Sequence, residues 1–372
     1  MPVVNKPVTR EMLKEALDLV SVPPDRSRQR WNTEASSDNI RQFAWSIGDD
    51  NPLWIDPEYG RASSYGQNLA PPTFLYTIDS TSIFPGLKGL ARLTASAEWE
   101  WYSVLREGEK FVPDAQYTDA KFAVGRKAGN MIIQEGVFSY ANADGEPVAK
   151  STARVFRTAR APVDGGLNYQ MRCYRYTPKE LDDIEQAVLA ETRRGAETLY
   201  WEDVPVGEDI SQRIKGPMTV TDLICWYAGN GVFGRRPLSI AWRELFANPD
   251  FYSRRGDTWS YEYSERGHYD MEMAREVGMP GGYDTGHQRT QWFGHMLTDW
   301  MGDAGFLSRL SCKSHLPIVI GDTVFVRGSV VSKRPKEGSA VGIIGCDLVG
   351  VNQLGEVVME GSAEVQLQRH DG

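Results

Sequence analysis

The stretch Asn352-Gln353-Leu354-Gly355-Glu356-Val357-Val358 decides the fold, because the chain carries a second copy of it about 210 residues earlier. The earlier copy reads Asn142-Ala143-Asp144-Gly145-Glu146-Pro147-Val148. The strands predicted after the two turns also align without a gap, Thr152-Ala153-Arg154-Val155 with Ser362-Ala363-Glu364-Val365. Solenoid repeats are roughly 20 to 50 residues long, so this period indicates the duplication of a whole domain.

Each copy begins with helical patterns and continues into a run of strands. From about residue 92 to residue 158 the sequence alternates or is rich in β-branched and aromatic residues, with turn residues between the segments. Two units of this kind are α+β domains in which each sheet packs its apolar face on a helix. We therefore predict an N-terminal domain (1–158), a helical connector (159–198) and a C-terminal domain (199–372) with an insertion at about 231–266.

Start and stop signals place the predicted helices. Thr177 precedes Pro178 and is followed three residues later by Glu180, which is the pattern of a capping box. Thr219 starts a helix that ends at Asn230, and a long helix is predicted after Gly286. The remaining predicted helices are Thr9 to Leu19, Ser36 to Ile47, Thr73 to Ile83 and Met271 to Val277.

Composition excludes several classes of function. The net charge of −9 and the pI near 5.3 argue against a surface for nucleic acid or for an anionic membrane. No apolar run approaches the roughly 20 residues of a membrane span, and the N-terminus has no signal-peptide pattern. The four cysteines are far apart and contain no Cys-x-x-Cys pair, so a reducing cytoplasm is the expected location.

Histidines are confined to the end of the chain. All five lie at or after position 268, at 268, 287, 295, 315 and 370. Histidine is the side chain best suited to moving protons near neutral pH. Any histidine-assisted acid/base chemistry is therefore expected in the second half.

Three motifs together resemble the MaoC-like, (R)-specific enoyl-CoA hydratase/3-hydroxyacyl dehydratase family in its double hotdog form. Gly48-Asp49-Asp50-Asn51-Pro52-Leu53 is similar to the family's Gly-Asp-x-Asn-Pro-Leu-His. His268-Tyr269-Asp270-x-x-x-Ala274, followed by Gly278-x-Pro280, is similar to its His-x-Asp-x-x-x-Ala and Gly-x-Pro run. Trp201-Glu202-Asp203-Val204-Pro205-Val206-Gly207 is similar to the first strand of a MaoC domain.

The resemblance implies a fold and a chemistry. In this family an antiparallel sheet wraps a helix and binds an acyl thioester, while an Asp and a His five residues apart handle a water molecule. Hydration of a conjugated thioester needs a base, an acid and donors for the enolate oxygen. Gly286 resembles the family's glycine whose backbone N–H, at a helix N-terminus, supplies one such donor.

The sequence departs from the family pattern in both halves. In the first half Trp54 occupies the histidine position, and in the second half Tyr263 stands five residues before His268. Alignment of the helices puts Asn230 in the place of the missing acid. We expect one active site, in the second half, with His268 as base. Asp270 is equally well explained as an acid partner and as a helix cap, and the other possible acids are Asp257, Glu262 and Glu265.

Further polar residues are candidates for binding the substrate. Tyr283, Asp284, His287 and Arg289 either form a solvated first helical turn or meet the thioester or a phosphate of its carrier. Arg235 and Arg236 in the insertion either bind the nucleotide phosphates of coenzyme A or pair with nearby acids.

The resemblance implies a hydro-lyase that acts on a 2-enoyl-CoA or 3-hydroxyacyl-CoA, with a bulky acyl group in a tunnel shaped by the first half. The alternatives are an acyl-CoA thioesterase and a catalytically silent acyl-CoA-binding subunit. No metal or other cofactor is expected, because no His/Cys/carboxylate cluster has ligand spacing. The expected partners are the acyl-CoA or acyl-carrier thioester and a second copy of the chain in a homodimer.

Overall fold

The computed structural model describes residues 6–20, 22–23, 30–125, 128–160, 169–231, 238–247, 249 and 252–370. Its strands are β1 (Leu69–Ala70), β2 (Ala91–Trp101), β3 (Leu105–Arg106), β4 (Phe111–Gly125), β5 (Gly129–Asn142), β6 (Pro147–Thr158), β7 (Asp209–Lys215), β8 (Tyr252–Arg254), β9 (Tyr261–Tyr263), β10 (Phe306–Ser314), β11 (Val324–Pro335), β12 (Val341–Asn352) and β13 (Val357–Gln368). Nine of these strands form one antiparallel sheet in the order β4-β5-β6-β2-β10-β13-β12-β11-β7.

The two predicted sheets are joined edge to edge. Strand β2 of the first half pairs with β10 of the second, so that Trp99 lies opposite Leu310 and Glu100 opposite Arg309. The prediction of an α+β fold with a helix-wrapped antiparallel sheet in each half is confirmed, and the pairing makes the two sheets one. The domain boundaries at 158 and 198 stay predictions.

The repeated turn has the same geometry in both copies. The Asn142 side chain accepts hydrogen bonds from the backbone N–H groups of residues 144 and 146, and Asn352 accepts from those of residues 354 and 356. Gly145 and Gly355 follow at φ 84° and 77°, in the region that glycine tolerates. Two equal turns therefore connect β5 to β6 and β12 to β13.

The α-helices are α1 (Arg10–Asp18), α2 (Ser37–Ser46), α3 (Pro52–Ile55), α4 (Pro57–Ala62), α5 (Pro178–Leu189), α6 (Val220–Asn230), α7 (Leu238–Ala247), α8 (Met271–Glu276) and α9 (Gly286–Met301). The predicted helix Thr73 to Ile83 is shorter than expected, a 3-10 helix over Pro72–Thr77. Pro71 and Pro72 fix its start, and Thr81 has a positive φ of 46° that ends any helical path before residue 83.

Helix α9 is the centre of the second half. Fourteen of its residues, Gln288 to Met301, are buried, and it packs against β2, β7 and β10. It buries aromatic and aliphatic side chains such as Trp292, Phe293 and Leu297 in the main core. It also buries several polar side chains, and a buried polar group must be hydrogen-bonded. These groups form the polar interior of the molecule.

The insertion contains α7, the β8–β9 hairpin and a 3-10 turn over Ser264–His268 that leads into the site. Arg235 and Arg236 lie outside the described residues. None of the helices in the described ranges combines the length and the apolar character that a membrane crossing requires.

Candidate active site

A cavity of about 670 Å³ lies between the two halves and brings together residues far apart in sequence. Its first-half wall is made by β2, by the end of β6 and by the chain before β2. Its second-half wall contains His268 and the segment from Tyr283 to His287. Its volume lies within the range of small-molecule binding pockets, and residues of both halves line it.

His268 has a defined tautomer. Its Nδ1 lies 2.8 Å from the carbonyl oxygen of Tyr283 and 3.1 Å from that of Asp284. A carbonyl oxygen only accepts, so Nδ1 carries the proton and donates it to these two oxygens. The lone pair is therefore on Nε2, which leaves that nitrogen able to accept a proton. His268 can act as a base.

The backbone that holds His268 is fixed by a buried ion pair. Arg289 Nε and Nη2 donate to the two carboxylate oxygens of Asp284 at 2.6 and 2.8 Å. Arg289 also donates to the carbonyl oxygens of Val358 and Leu316, at 2.8 and 2.9 Å. Because Nε and both Nη atoms of Arg289 donate inside the protein, the prediction that Arg289 meets the thioester or a phosphate of its carrier is not supported. The pair positions the 283–285 backbone instead.

Gly286 is the first residue of α9 and lies against the first half. A Cβ atom on Gly286 would come within 2.2 Å of the Thr94 Cβ on β2. The absence of a side chain thus lets β2 approach the start of the helix. Amides in the first turn have no intrahelical acceptor, and the helix dipole favours negative charge there. The Gly286 N–H is a candidate donor for an oxyanion in the cavity.

His287 and Tyr283 also line the cavity, in apolar surroundings. The His287 Nε2 donates to the Ser80 carbonyl oxygen over 2.9 Å, and its ring packs edge-on against Tyr76. Burial, together with the positive charge of Arg92, lowers the pKa of His287 to about 4. His287 is neutral at physiological pH. Burial raises the pKa of Tyr283, whose ring centroid is 4.2 Å from that of His268.

Asp270 is a capping residue. Its carboxylate accepts from the Met273 backbone N–H at 3.0 Å at the start of α8, and it lies 3.2 Å from Arg255 and 3.7 Å from the buried Arg266. The first half has the same arrangement, because Asp56 stands two residues after Trp54 and caps α4. Asp270 does not line the cavity. The prediction of a catalytic role is replaced by this structural one.

Asn230 also lies away from the cavity. It is fully buried at the end of α6, where its amide donates to Ser46 Oγ at 3.0 Å and to the Trp226 carbonyl at 3.1 Å. Its side-chain oxygen accepts from Gln291 on α9. With both ends of the amide occupied, Asn230 joins α6 to α2 and α9. The expectation that it orients water beside His268 is corrected.

A second polar cluster lies deeper between the halves. The potential ligand atoms of Asp49, His295 and Asp299 all lie within 4.8 Å of one another. The expectation that no His/Cys/carboxylate cluster has ligand spacing is therefore corrected. Two cations already meet these groups: Lys215 Nζ is 2.7 Å from His295 Nδ1, and Arg213 Nε is 2.8 Å from Asp299. Burial lowers the pKa of Lys215 to about 8, which still leaves it mostly charged at pH 7. The cluster is an internal charge network.

The corresponding site of the first half is closed. Pro72 follows Trp54 by 18 positions, and Gly286 follows His268 by the same 18 positions, so the two pairs are equivalent. Trp54 and Pro72 line a cavity of only about 30 Å³. Proline has no N–H, so Pro72 cannot donate to an oxyanion. The first half therefore has no equivalent of the His268 imidazole or of the Gly286 N–H.

The first-half wall of the cavity was not predicted from the sequence. Arg92, Thr94 and Arg160 line the cavity, and Arg92 lies 3.8 Å from Glu265. Glu265 had been named as a possible acid partner, and it is the one of those acids that lines the cavity. Alternation along β2 could have assigned Arg92 and Thr94 to one face of the sheet. It could not have revealed that this face meets the start of α9.

Comparison with known proteins agrees with this architecture. A family model described as "FAS1-like, dehydratase domain region" matches residues 26–151. UPF0336 proteins of Parafrankia sp. and Saccharopolyspora erythraea are 28% identical over 136 residues and 30% identical over 138 residues. Each match covers 35% of this chain, and 87% and 85% of the two relatives. A UPF0336 protein of Streptomyces avermitilis is 44% identical over 45 residues, which is 12% of this chain and 30% of that relative.

Solved structures match over nearly the whole chain. A MaoC-like dehydratase is similar with a TM-score of 0.61 and 16% identity, over 92% of this chain and 97% of the other. A MaoC domain protein dehydratase from Chloroflexus aurantiacus is similar with a TM-score of 0.55 and 11% identity, over 94% and 99%. At these identities the likeness concerns the fold.

Fold and site together define a double hotdog protein with one histidine-bearing cavity between its halves. The chain belongs to the family of the UPF0336 proteins, and its fold is that of the MaoC-like dehydratases.

Proposed function

We propose that the protein is a hydro-lyase that adds water to a 2-enoyl thioester, or removes it from a 3-hydroxyacyl thioester, in the cavity between its halves. The observation that carries the proposal is the position of His268 Nδ1, 2.8 and 3.1 Å from two backbone carbonyl oxygens, which assigns the proton to Nδ1 and the lone pair to Nε2. The likeness to proteins named MaoC-like dehydratases supports the same class of reaction.

His268 and Gly286 have separate roles in the proposed addition of water. His268 Nε2 takes a proton from water, and the hydroxide oxygen bonds to the β-carbon of the enoyl thioester. The electron pair of the double bond moves to the thioester oxygen, where the Gly286 N–H stabilises the enolate. The enolate then collapses as the α-carbon takes the proton from His268, so that one water is added and the enzyme is unchanged. Dehydration follows the same steps in reverse.

Coenzyme A is the proposed carrier, and the acyl group extends along the first-half wall. The cavity volume and the mainly apolar residues around Phe84, Leu93 and Met131 support a bulky acyl chain. Cytoplasmic location and a homodimer complete the proposal. The dimer is additional to the pairing of the two halves, which already gives the fold of a hotdog dimer within one chain.

The test compares the protein with a His268→Asn variant on crotonyl-CoA and on longer enoyl-CoAs. Asparagine retains an N–H donor near the position of Nδ1 but has no base, so the rate should fall by roughly 10²- to 10⁴-fold. His370→Asn, on the exposed C-terminal segment, is the matched control. Undiminished hydration in His268→Asn would refute the assignment. Release of free thiol would identify a thioesterase instead, and binding without turnover across several acyl chains would identify a silent subunit.

A further inference from the structure

The first-half wall of the cavity carries four arginines: Arg154, which is paired with Glu98 and Glu135, and three others. Arg92 lies on β2, Arg157 on β6 and Arg160 just after β6, and all three line the cavity that contains His268. Arg92 and Arg157 are direct partners in the β2–β6 ladder. Like charges opposite each other on paired strands are destabilising. An arrangement that breaks this rule beside a candidate active site calls for a function.

Arg157 donates hydrogen bonds through both Nη atoms but has no counter-ion among the described residues. It is 6% exposed and donates to the backbone carbonyls of Phe84, Gly86 and Leu87 and to the Gln134 side chain. Its Nε is buried without a hydrogen bond. Within the described part of the chain, no carboxylate is at ion-pair distance from Arg157. Burial, then the charges of Arg92 and Arg160, lowers the pKa of this guanidinium to about 9.

Arg160 is in a similar position and interacts electrostatically with Tyr283. It is partly buried, and its Nε also lacks a hydrogen bond. The guanidinium of Arg160 also interacts electrostatically with Glu276. No described carboxylate lies at ion-pair distance from it. Arg92 is 3.8 Å from Glu265. Arg157 and Arg160 are therefore two cations without a described carboxylate at ion-pair distance, in a protein whose net charge is −9.

The distance along β2 indicates which part of a substrate would meet these cations. Thr94 packs on Gly286, the proposed donor to the thioester oxygen, and Arg92 is two residues away, or about 7 Å along the strand. A carboxylate a few carbons beyond the thioester lies within that reach. The phosphates of coenzyme A lie much farther away, beyond the whole pantetheine arm.

We propose that Arg92, Arg157 and Arg160 form a subsite for a carboxylate at the far end of the acyl group. The natural substrate is then the coenzyme A monothioester of a dicarboxylic acid whose second carboxylate lies a few carbons from the thioester. Arg160 makes the direct ion pair, Arg92 shares it, and Arg157 adds positive charge from behind. This inference rests on the proposed thioester site and adds a substrate class to it.

Calorimetric binding of two unreactive thioesters tests the subsite without any need for turnover. Glutaryl-CoA and valeryl-CoA have five-carbon acyl groups and differ in a terminal carboxylate or methyl group. The protein should bind glutaryl-CoA roughly tenfold or more tightly, as expected for a charge-assisted hydrogen bond. Arg160→Gln should remove this preference and leave valeryl-CoA binding unchanged, while Arg160→Lys should retain part of it. Arg309→Gln, which removes an exposed arginine paired with Glu100, is the control.

Three results would overturn the inference in different ways. Equal affinity of the unaltered protein for the two thioesters would show that the arginines do not recognise the acyl end. An equal loss of affinity for both thioesters in Arg160→Gln and Arg92→Gln would place a phosphate of the carrier on these residues. Failure of both thioesters to bind the unaltered protein would refute the proposed thioester site itself.

Discussion

The Trp54 indole N–H donates to the buried carboxylate of Asp49 over 2.9 Å. These two residues have the spacing at which the MaoC-like pattern has its Asp and His. Tryptophan donates a hydrogen bond but does not exchange protons near neutral pH, so the first-half pair keeps the geometry of a dyad without its chemistry.

The first prediction concerns stoichiometry. Titration with valeryl-CoA should show one binding site per chain, because the first-half cavity is only about 30 Å³ and Pro72 provides no N–H. Trp54→His should create no second site and should lower the free energy of unfolding by about 2–4 kcal/mol, since it removes a buried aromatic side chain. Urea unfolding measures the loss. Two sites per chain, in either protein, would contradict this interpretation.

The second prediction separates the two roles considered for Asp270. Asparagine is as good a helix cap as aspartate, but it neither exchanges a proton nor balances the buried Arg266. Asp270→Asn should therefore lower stability, by about 1–3 kcal/mol, while kcat changes by no more than a few-fold at a temperature where the variant is folded. A fall in kcat comparable to that of His268→Asn, without unfolding, would restore Asp270 as a catalytic acid.

The third prediction tests the contact between Gly286 and Thr94. Gly286→Ala places a Cβ within 2.2–2.6 Å of three Thr94 side-chain atoms, so it should weaken both stability and turnover. Thr94→Gly removes all three atoms. The double variant should therefore recover a large part of the stability lost in Gly286→Ala, which a double-mutant cycle measures as coupling. Simple additivity of the two losses would show that the contact is not the cause.

The fourth prediction concerns acid stability. The pKa of His287 is about 4 in the folded protein, and the ordinary value near 6.5 applies when it is unfolded. On acidification the unfolded chain takes up this proton first, so stability present above pH 6.5 is lost as the pH falls toward 4. This site accounts for a loss of about 3 kcal/mol at most.

His287→Gln keeps an N–H donor for the Ser80 carbonyl but cannot titrate. The free energy of unfolding should therefore depend less steeply on pH between about 6.5 and 4 in this variant than in the unaltered protein. The exposed His370, changed to Gln, provides the control for loss of an imidazole at the protein surface. Parallel curves for all three proteins would mean that His287 is not held neutral by the fold.

The sequence could predict those features that depend on local patterns. The Asn-x-x-Gly-Glu turns, the caps of α5 and α6 and the long α9 all follow from residues close together in the chain. The importance of His268 followed from the positions of the histidines and from the Trp54 substitution. The capping role of Asp270 was visible as one of two alternatives.

The features that the sequence could not reveal depend on tertiary pairing. The junction of β2 with β10, the contact of Thr94 with Gly286 and the Arg92–Arg157 pair each join segments whose neighbours are fixed only by the folded sheet. Asn230 was misplaced because an alignment of helices says nothing about the side-chain amide of Gln291, which occupies it. The cluster of Asp49, His295 and Asp299 could not be predicted for the same reason, because its residues meet only in the folded protein.

The continuous sheet through β2 and β10 has a consequence for how this protein can evolve. In a symmetric dimer of identical single domains, every substitution occurs twice, at both equivalent sites. Fusion of the two copies removes that constraint, so the wall formed by residues 91–160 can diversify while the residues around His268 are retained. Exchange of this first-half segment between related chains should therefore transfer substrate preference without transferring the catalytic base.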